Sequence, residues 1–136
     1  MKSKRINQTK VKRKLHKKLW ALVSLYIRRR DCGKCYTCPA LKPIAEMHCG
    51  HYHDASVSNP ELNFHEKNLH CQCAGCNLFK SGNKTIYAYN LTKQYGIGIL
   101  DELMEIKNRV VKWTIEDYET RIAHYQRELN DSRPSN

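Results

Sequence analysis

Two cysteine pairs constrain this chain more than any other feature. Cys35-Tyr-Thr-Cys38 and Cys73-Ala-Gly-Cys76 are Cys-x2-Cys knuckles separated by the 34 residues 39–72. Two such turns place four thiolates around one tetrahedral Zn²⁺. The gap is longer than that of an ordinary zinc finger, so the metal ties together the ends of a substantial insert. In a chain of 136 residues, metal binding contributes directly to folding free energy. All seven cysteines fall between residues 32 and 76. An odd number with no secretory signal argues against a disulfide scaffold. Cys32-Gly-Lys-Cys35 offers a second way to form the first pair; Cys35 with Cys38 is preferred. Cys32, Cys49 and Cys71 are then spare thiols. A thioredoxin-like redox pair lacks the strand and helix such a motif needs.

Charge is the next constraint. Residues 1–30 hold twelve Lys and Arg and no acid, whereas the other 106 hold twelve basic and thirteen acidic groups. A near-neutral body therefore carries a cationic N-terminal arm, which calls for a polyanion; nucleic acid is the usual one. The apolar-leaning stretch Leu19 to Ile27 is too short to span a bilayer, and no signal peptide is visible. A cytoplasmic protein, neither secreted nor membrane-integral, is expected.

Residues 1–14 read as a flexible basic arm, disordered until bound. From Leu15 the recurrence of Leu15, Leu19, Leu22, Val23, Tyr26 and Ile27 predicts a helix. Glu46 to His53 reads as a strand, Ala55 to Asn63 as a polar loop, and Glu66 to Cys71 as the approach to the second knuckle. A helix follows Cys76, broken near Ser81-Gly82-Asn83. Another covers Ile99 to Val110. In a third, Thr114 and Asp117 form a capping box ahead of the stripe Ile115, Tyr118, Ile122, Tyr125 and Leu129. Trp20, Trp113, Tyr118 and Tyr125 are assigned to core or dimer packing. Residues 15–130 are read as one domain, with a zinc-bearing core over 32–95, C-terminal helices over 97–130, and a tail over 131–136.

Inside the insert lies Cys49-Gly-His-Tyr-His53, followed by Asn68-Leu69 and Cys76-Asn-Leu-Phe-Lys80. This pattern resembles the HNH (ββα-metal, His-Me finger) nucleases with a zinc knuckle. Met47-His-Cys-Gly-His-Tyr52, Phe64-His-Glu-Lys-Asn-Leu-His-Cys-Gln-Cys73 and Cys76-Asn-Leu-Phe-Lys-Ser-Gly-Asn83 are similar to the NinG/Rap family of lambdoid-phage recombination proteins, over about residues 28–127. The resemblance implies an α+β fold: a small zinc-stabilised ββα-metal core with flanking helices. It also implies a structure-specific endonuclease that cuts branched DNA, including Holliday junctions and D-loops. In that pattern His51 is the general base, Asn77 a metal ligand at the helix start, and Asn68 the residue that orients His51. A neutral imidazole accepts the water's proton near pH 7, and one Mg²⁺ or Mn²⁺ stabilises charge on the phosphate and the leaving oxygen.

One departure stands out. Many HNH enzymes carry a metal-binding Asp just before the base, and here that residue is Gly50. The second ligand then comes from His53, which would share a strand face with His51, or from His48, Asp54 or Glu66; histidine ligands would favour Mn²⁺. Lys10, Lys12, Arg13, Lys14, Lys17, Lys18, Arg28, Arg29, Arg30, Lys80 and Lys84 are the candidate DNA contacts. Symmetric cutting of a four-way junction predicts a homodimer. The competing reading is a non-catalytic zinc-dependent DNA-binding module, which needs the thiolates and the arm but not the His51 imidazole.

Overall fold

A computed structural model of the chain describes residues 2–54 and 58–132. The elements in order are α1 (Lys2–Arg30), β1 (His48–His51), α2 (Pro60–Asn63), β2 (Leu69–Gln72), α3 (Lys84–Tyr95), α4 (Ile99–Lys107) and α5 (Ile115–Asp131), with short 3-10 turns at Ile44–Glu46 and Glu66–Asn68 and a π-type turn at Gly75–Phe79. Among the described residues this is a mixed α+β architecture with one two-stranded sheet. Among the described residues, no helix is long and apolar enough to cross a membrane. Part of the expected loop, residues 55–57, and the tail residues 133–136 lie outside the described residues.

The described residues fall into two compact units, one within Met1–Tyr26 and Trp113–Asn136 and one within Ile27–Lys112. The first unit departs from the sequence reading in one respect. Helix α1 begins at Lys2, so the residues expected to be a disordered arm are helical. They contain no Gly or Pro, and Lys, Arg and Gln are good helix formers; an apolar period is not required once a helix is already propagating. In this unit Leu19, Val23, Trp113, Tyr118, Ile122, Tyr125 and Leu129 are buried. The rings of Tyr26 and Tyr125 meet edge-on at 5.1 Å, and the Arg121 guanidinium lies 3.9 Å from the Trp113 ring centre. The expected capping box opens α5: Thr114 Oγ1 accepts from the Asp117 N–H at 3.1 Å and the Asp117 carboxylate accepts from the Thr114 N–H at 2.8 Å. Such a cap contributes about 1 kcal/mol.

The second unit, Ile27–Lys112, contains both strands. β1 and β2 run antiparallel in the register His48↔Gln72, Cys49↔Cys71, Gly50↔His70 and His51↔Leu69. Beside them, α2, α3 and α4 bury Leu62, Tyr87, Leu91, Ile99, Leu103 and Ile106 in one cluster. α2 is short but well marked. Pro60 occupies its first turn, and the Asn59 side chain caps it by accepting from Leu62 N–H while donating to the Ile106 carbonyl at 2.9 Å. One asparagine therefore joins the start of α2 to the end of α4. The last helix expected before residue 110 closes at Lys107.

Candidate metal centre and adjacent cleft

Cys35, Cys38, Cys73 and Cys76 converge, with all four sulfur atoms within 4.8 Å of one another. Cys38 and Cys73 are 3.6 Å apart. That is far too long for a disulfide, but close to the edge of about 3.8 Å expected for a tetrahedron with Zn–S bonds of about 2.3 Å. Backbone N–H groups point at the sulfurs, from Ala40 to Cys38 and from Cys76 to Cys73, both at 3.4 Å. These donors stabilise negative sulfur, as the surroundings of a metal-bound thiolate do. Burial opposes ionisation of Cys35, yet the hydrogen bonds aimed at it lower its pKa. Burial and the neighbouring thiols push Cys38 the other way. The donor set thus fits Zn²⁺, with four soft ligands in a closed arrangement. Cys32 stands exposed outside the cluster, as the preferred pairing anticipated. Cys49 and Cys71 are buried cross-strand partners, and burial pushes the Cys71 thiol up to about 12.

The second knuckle leads into the π-type turn Gly75–Phe79, and this geometry places Asn77. A cleft of about 220 Å³ opens here, lined by His51, Asp54, Asn77, Ser81, Gly82 and Lys84. His51 arrives from the last position of β1. Its Nε2 lies 3.0 Å from the Asn63 carbonyl oxygen. A carbonyl can only accept, so Nε2 carries the proton and the ring's lone pair sits on Nδ1. Burial holds the His51 pKa below its usual value, and the Lys84 charge adds to this against the Asn63 bond. The imidazole is therefore neutral near pH 7.

Asn68 was expected to orient His51; its side-chain hydrogen bonds go to His53 and Leu62. The side chain is fully buried. Its oxygen accepts from His53 N–H at 2.8 Å, and its amide donates to the carbonyls of His53 at 3.1 Å and Leu62 at 3.2 Å. It clamps the chain after β1 to the end of α2, and so positions the Asn63 carbonyl that bonds His51. The action on His51 is indirect.

Asn77 Nδ2 lies 3.0 Å from His48 Nδ1. An amide nitrogen accepts no hydrogen bond, so Asn77 is the donor here and this bond leaves its carbonyl oxygen out. His53 does not share a strand face with His51, because β1 stops at His51. The Lys84 ammonium donates to the carbonyls of both His51 and Tyr52. It also pairs with Asp54 at 3.1 Å. Glu66 lies in the 3-10 turn before β2 and is not among the residues lining the cleft. The cleft therefore brings together His51, Asn77 and Asp54, with His48 behind Asn77. Asn77 and Asp54 supply oxygen donors beside the His51 imidazole, and the Lys84 ammonium lines the same cleft.

Several of the expected phosphate contacts have other work. Lys84 has three acceptors for its three protons. Arg30 makes four hydrogen bonds, two to the Asp31 carboxylate and one each to the carbonyls of Glu66 and Leu69. Asp31 in turn accepts from the Cys71 N–H at 2.8 Å, so this pair fastens the end of α1 to β2. Arg28 donates to the Ile44 carbonyl at 2.8 Å. These cations satisfy carbonyls at element ends, a demand that charge counting does not reveal. Arg29 is half-buried. Lys10, Arg13, Lys14, Lys17, Lys18 and Lys80 are exposed, and Lys12 is partly so.

Sequence reasoning also missed two supports. His70, fully buried, lies 3.1 Å from the hydroxyls of both Tyr87 and Tyr95 and stacks on Tyr36 at 3.8 Å. Tyr87 also donates to the Gly50 carbonyl at 2.8 Å. Gln72 covers Gly50 so closely that a Cβ there would lie 1.9 Å from its Oε1. The glycine before His51 is thus a packing requirement. No local pattern signals either feature, since both depend on cross-strand neighbours.

The family model described as Bacteriophage Lambda NinG protein matches residues 1–134. The NinG proteins of Escherichia phage lambda and Salmonella phage P22 are 39% and 38% identical to the chain over 114 residues, which cover 83% of it and 54% and 55% of theirs. That of Escherichia phage 933W is also 38% identical over 114 residues. The chain spans about half the length of the curated relatives it matches. No solved structure matches it.

Proposed function

The chain belongs to the NinG family, and from that premise we propose that it is a metal-dependent, structure-specific DNA endonuclease that cuts branched recombination intermediates such as Holliday junctions and D-loops. One observation carries the reading: His51 from the end of β1 and Asn77 from the turn after the second knuckle line the same cleft. Two antiparallel strands followed by a helical segment is also the order expected of an HNH ββα-metal core.

Cys35, Cys38, Cys73 and Cys76 would hold zinc as a structural clamp on the turn that carries Asn77. His51 Nδ1 accepts a proton from the attacking water, and the bond from its Nε2 to Asn63 steadies the imidazolium that forms. The carbonyl of Asn77 and the carboxylate of Asp54, which line the cleft, would hold Mg²⁺ or Mn²⁺ in preference to His53 or Glu66, which do not. When bound, that ion neutralises charge on the phosphate and the leaving 3′-oxygen. Exposed Lys and Arg on α1 contact backbone phosphates, while the protein acts in the host cytoplasm as a homodimer with two cutting sites.

The test is His51→Ala, assayed on a four-way junction with Mg²⁺ or Mn²⁺ at verified zinc content. Cleavage is expected to fall at least about 100-fold, the usual size of a lost general base, with junction binding retained. Unchanged cleavage overturns the mechanism. A wild-type protein that binds junctions and never cuts them is instead a zinc-dependent DNA-binding module.

A further inference from the structure

Lys84 is a cation built into the cleft. It lines it together with His51, Asp54, Asn77, Ser81 and Gly82. Its three protons have three acceptors: the carbonyls of His51 and Tyr52, and the Asp54 carboxylate at 3.1 Å. Swinging the ammonium out would strip two carbonyls of this donor, which holds the charge in place. Lys84 is also the first residue of α3, whose N-terminal dipole adds positive potential at the same wall.

The charge balance works against a bare divalent ion. Among the described lining residues Asp54 is the single acid, and Lys84 already pairs with it. Burial keeps His51 neutral. A sphere of about 220 Å³ is about 7 Å across, less than the roughly 8 Å over which physiological salt screens charge. An ion held by Asp54 and Asn77 therefore feels the ammonium almost unscreened. Two protein oxygens also fall short of an octahedral set, which Mg²⁺ sites with few carboxylates complete with substrate phosphate and water. A phosphodiester brings a negative charge and a further oxygen ligand, and the same ammonium attracts it.

Resting on the nuclease reading above, we infer that Lys84 reserves the cleft for phosphate, so that Mg²⁺ or Mn²⁺ is held there only together with a DNA phosphate. The ammonium repels the bare ion and attracts the diester. Once the diester is seated, its charge offsets that of Lys84, and its oxygen joins those of Asn77 and Asp54. Such coupling is reciprocal: the factor by which DNA tightens the ion is the factor by which the ion tightens DNA. A residue that merely positioned Asp54 would help the bare ion to bind, and its loss would weaken that binding. Loss of a repelling charge strengthens it, so the sign of the effect separates the two roles.

The experiment titrates Mn²⁺ into the full, zinc-loaded chain and follows loss of the free-ion electron paramagnetic resonance signal. Without DNA, wild type and Lys84→Arg should bind Mn²⁺ only in the roughly millimolar range. Lys84→Gln and Lys84→Met should bind it at least about 10-fold more tightly, the effect of removing one neighbouring like charge. A wild type that holds Mn²⁺ at micromolar concentration without DNA overturns the inference, as do uncharged variants that bind it no better than wild type. A second measurement leaves Lys84 in place. In a His51→Ala background, which keeps the junction whole, Mn²⁺ at fixed ionic strength should tighten binding of a labelled four-way junction roughly 5- to 150-fold in fluorescence anisotropy. Adding Asp54→Asn should abolish that gain. No gain, or a gain that survives Asp54→Asn, also overturns the inference. The nuclease reading fails separately, if wild type never cuts or if His51→Ala cuts equally well; the coupling of ion to phosphate is then decided by the binding measurements alone.

Discussion

Replacing Asn68 with Asp changes one NH2 group to an oxygen and tests how the loop beside His51 is held. The bond from His53 N–H to the side-chain oxygen survives. The donors to the carbonyls of His53 and Leu62, now at 3.1 and 3.2 Å, disappear, and a carboxylate faces both. Two net hydrogen bonds amount to about 2 kcal/mol, and leaving the buried acceptors unpaired adds roughly 1–3 kcal/mol. The expected loss is about 3–5 kcal/mol near neutral pH, at a position with no exposure to water. Burial against carbonyls raises the folded-state pKa of the new carboxyl above its unfolded value. The deficit is therefore full at high pH and shrinks as pH falls through that raised pKa, because the protonated acid regains one donor. Urea unfolding of zinc-loaded Asn68→Asp and parent at several pH values measures both effects. Stability within about 1 kcal/mol of the parent at neutral pH would refute the clamp, and a deficit that grew on acidification would refute the electrostatic argument.

Other expectations follow from the same structure. Cys73→Ser or a strong chelator should strip one zinc per chain and unfold the Ile27–Lys112 unit, whereas Cys32→Ser should keep full zinc by metal analysis and circular dichroism. His70, which burial pushes down to about 3, is neutral when folded and protonates near 6.5 when unfolded. It binds fewer protons in the native state, so stability should fall as pH drops from about 6.5 toward 3, by up to about 1.4 kcal/mol per pH unit. His70→Gln should flatten that part of the denaturation profile relative to the parent. Gly50→Asp, which restores an acid common before the general base, should destabilise by about 2–4 kcal/mol because Gln72 occupies the space; combining it with Gln72→Ala should recover much of the stability in thermal melts. Changing Lys10, Arg13, Lys14, Lys17 and Lys18 to Gln should shallow the salt dependence of DNA binding by about 0.9 for each phosphate no longer neutralised, and an unchanged slope would show that this face does not meet phosphate.

Cysteine spacing alone picked out the four thiols that converge, because two Cys-x2-Cys turns have few ways to surround a tetrahedral ion. The capping box at Thr114 and the apolar stripe of α5 were equally legible, since both are local patterns of a few residues. Local signals failed where partners lie far apart in the chain. Nothing near Asn68 says that its amide reaches Leu62 and His53, and nothing near Lys84 or Arg30 says that their charges close backbone carbonyls. The extent of α1 was hidden for another reason: helix propensity without an apolar period reads as disorder. Gly50 looked like a missing ligand until the cross-strand neighbour Gln72 supplied its cause. Short-range spacing thus determined which four thiols converge and where the caps fall, while the candidate catalytic residues came from the resemblance to a known family. Only the tertiary structure decided which of them share a cleft, because hydrogen-bond partners and steric exclusion across a sheet depend on segments that meet only after folding.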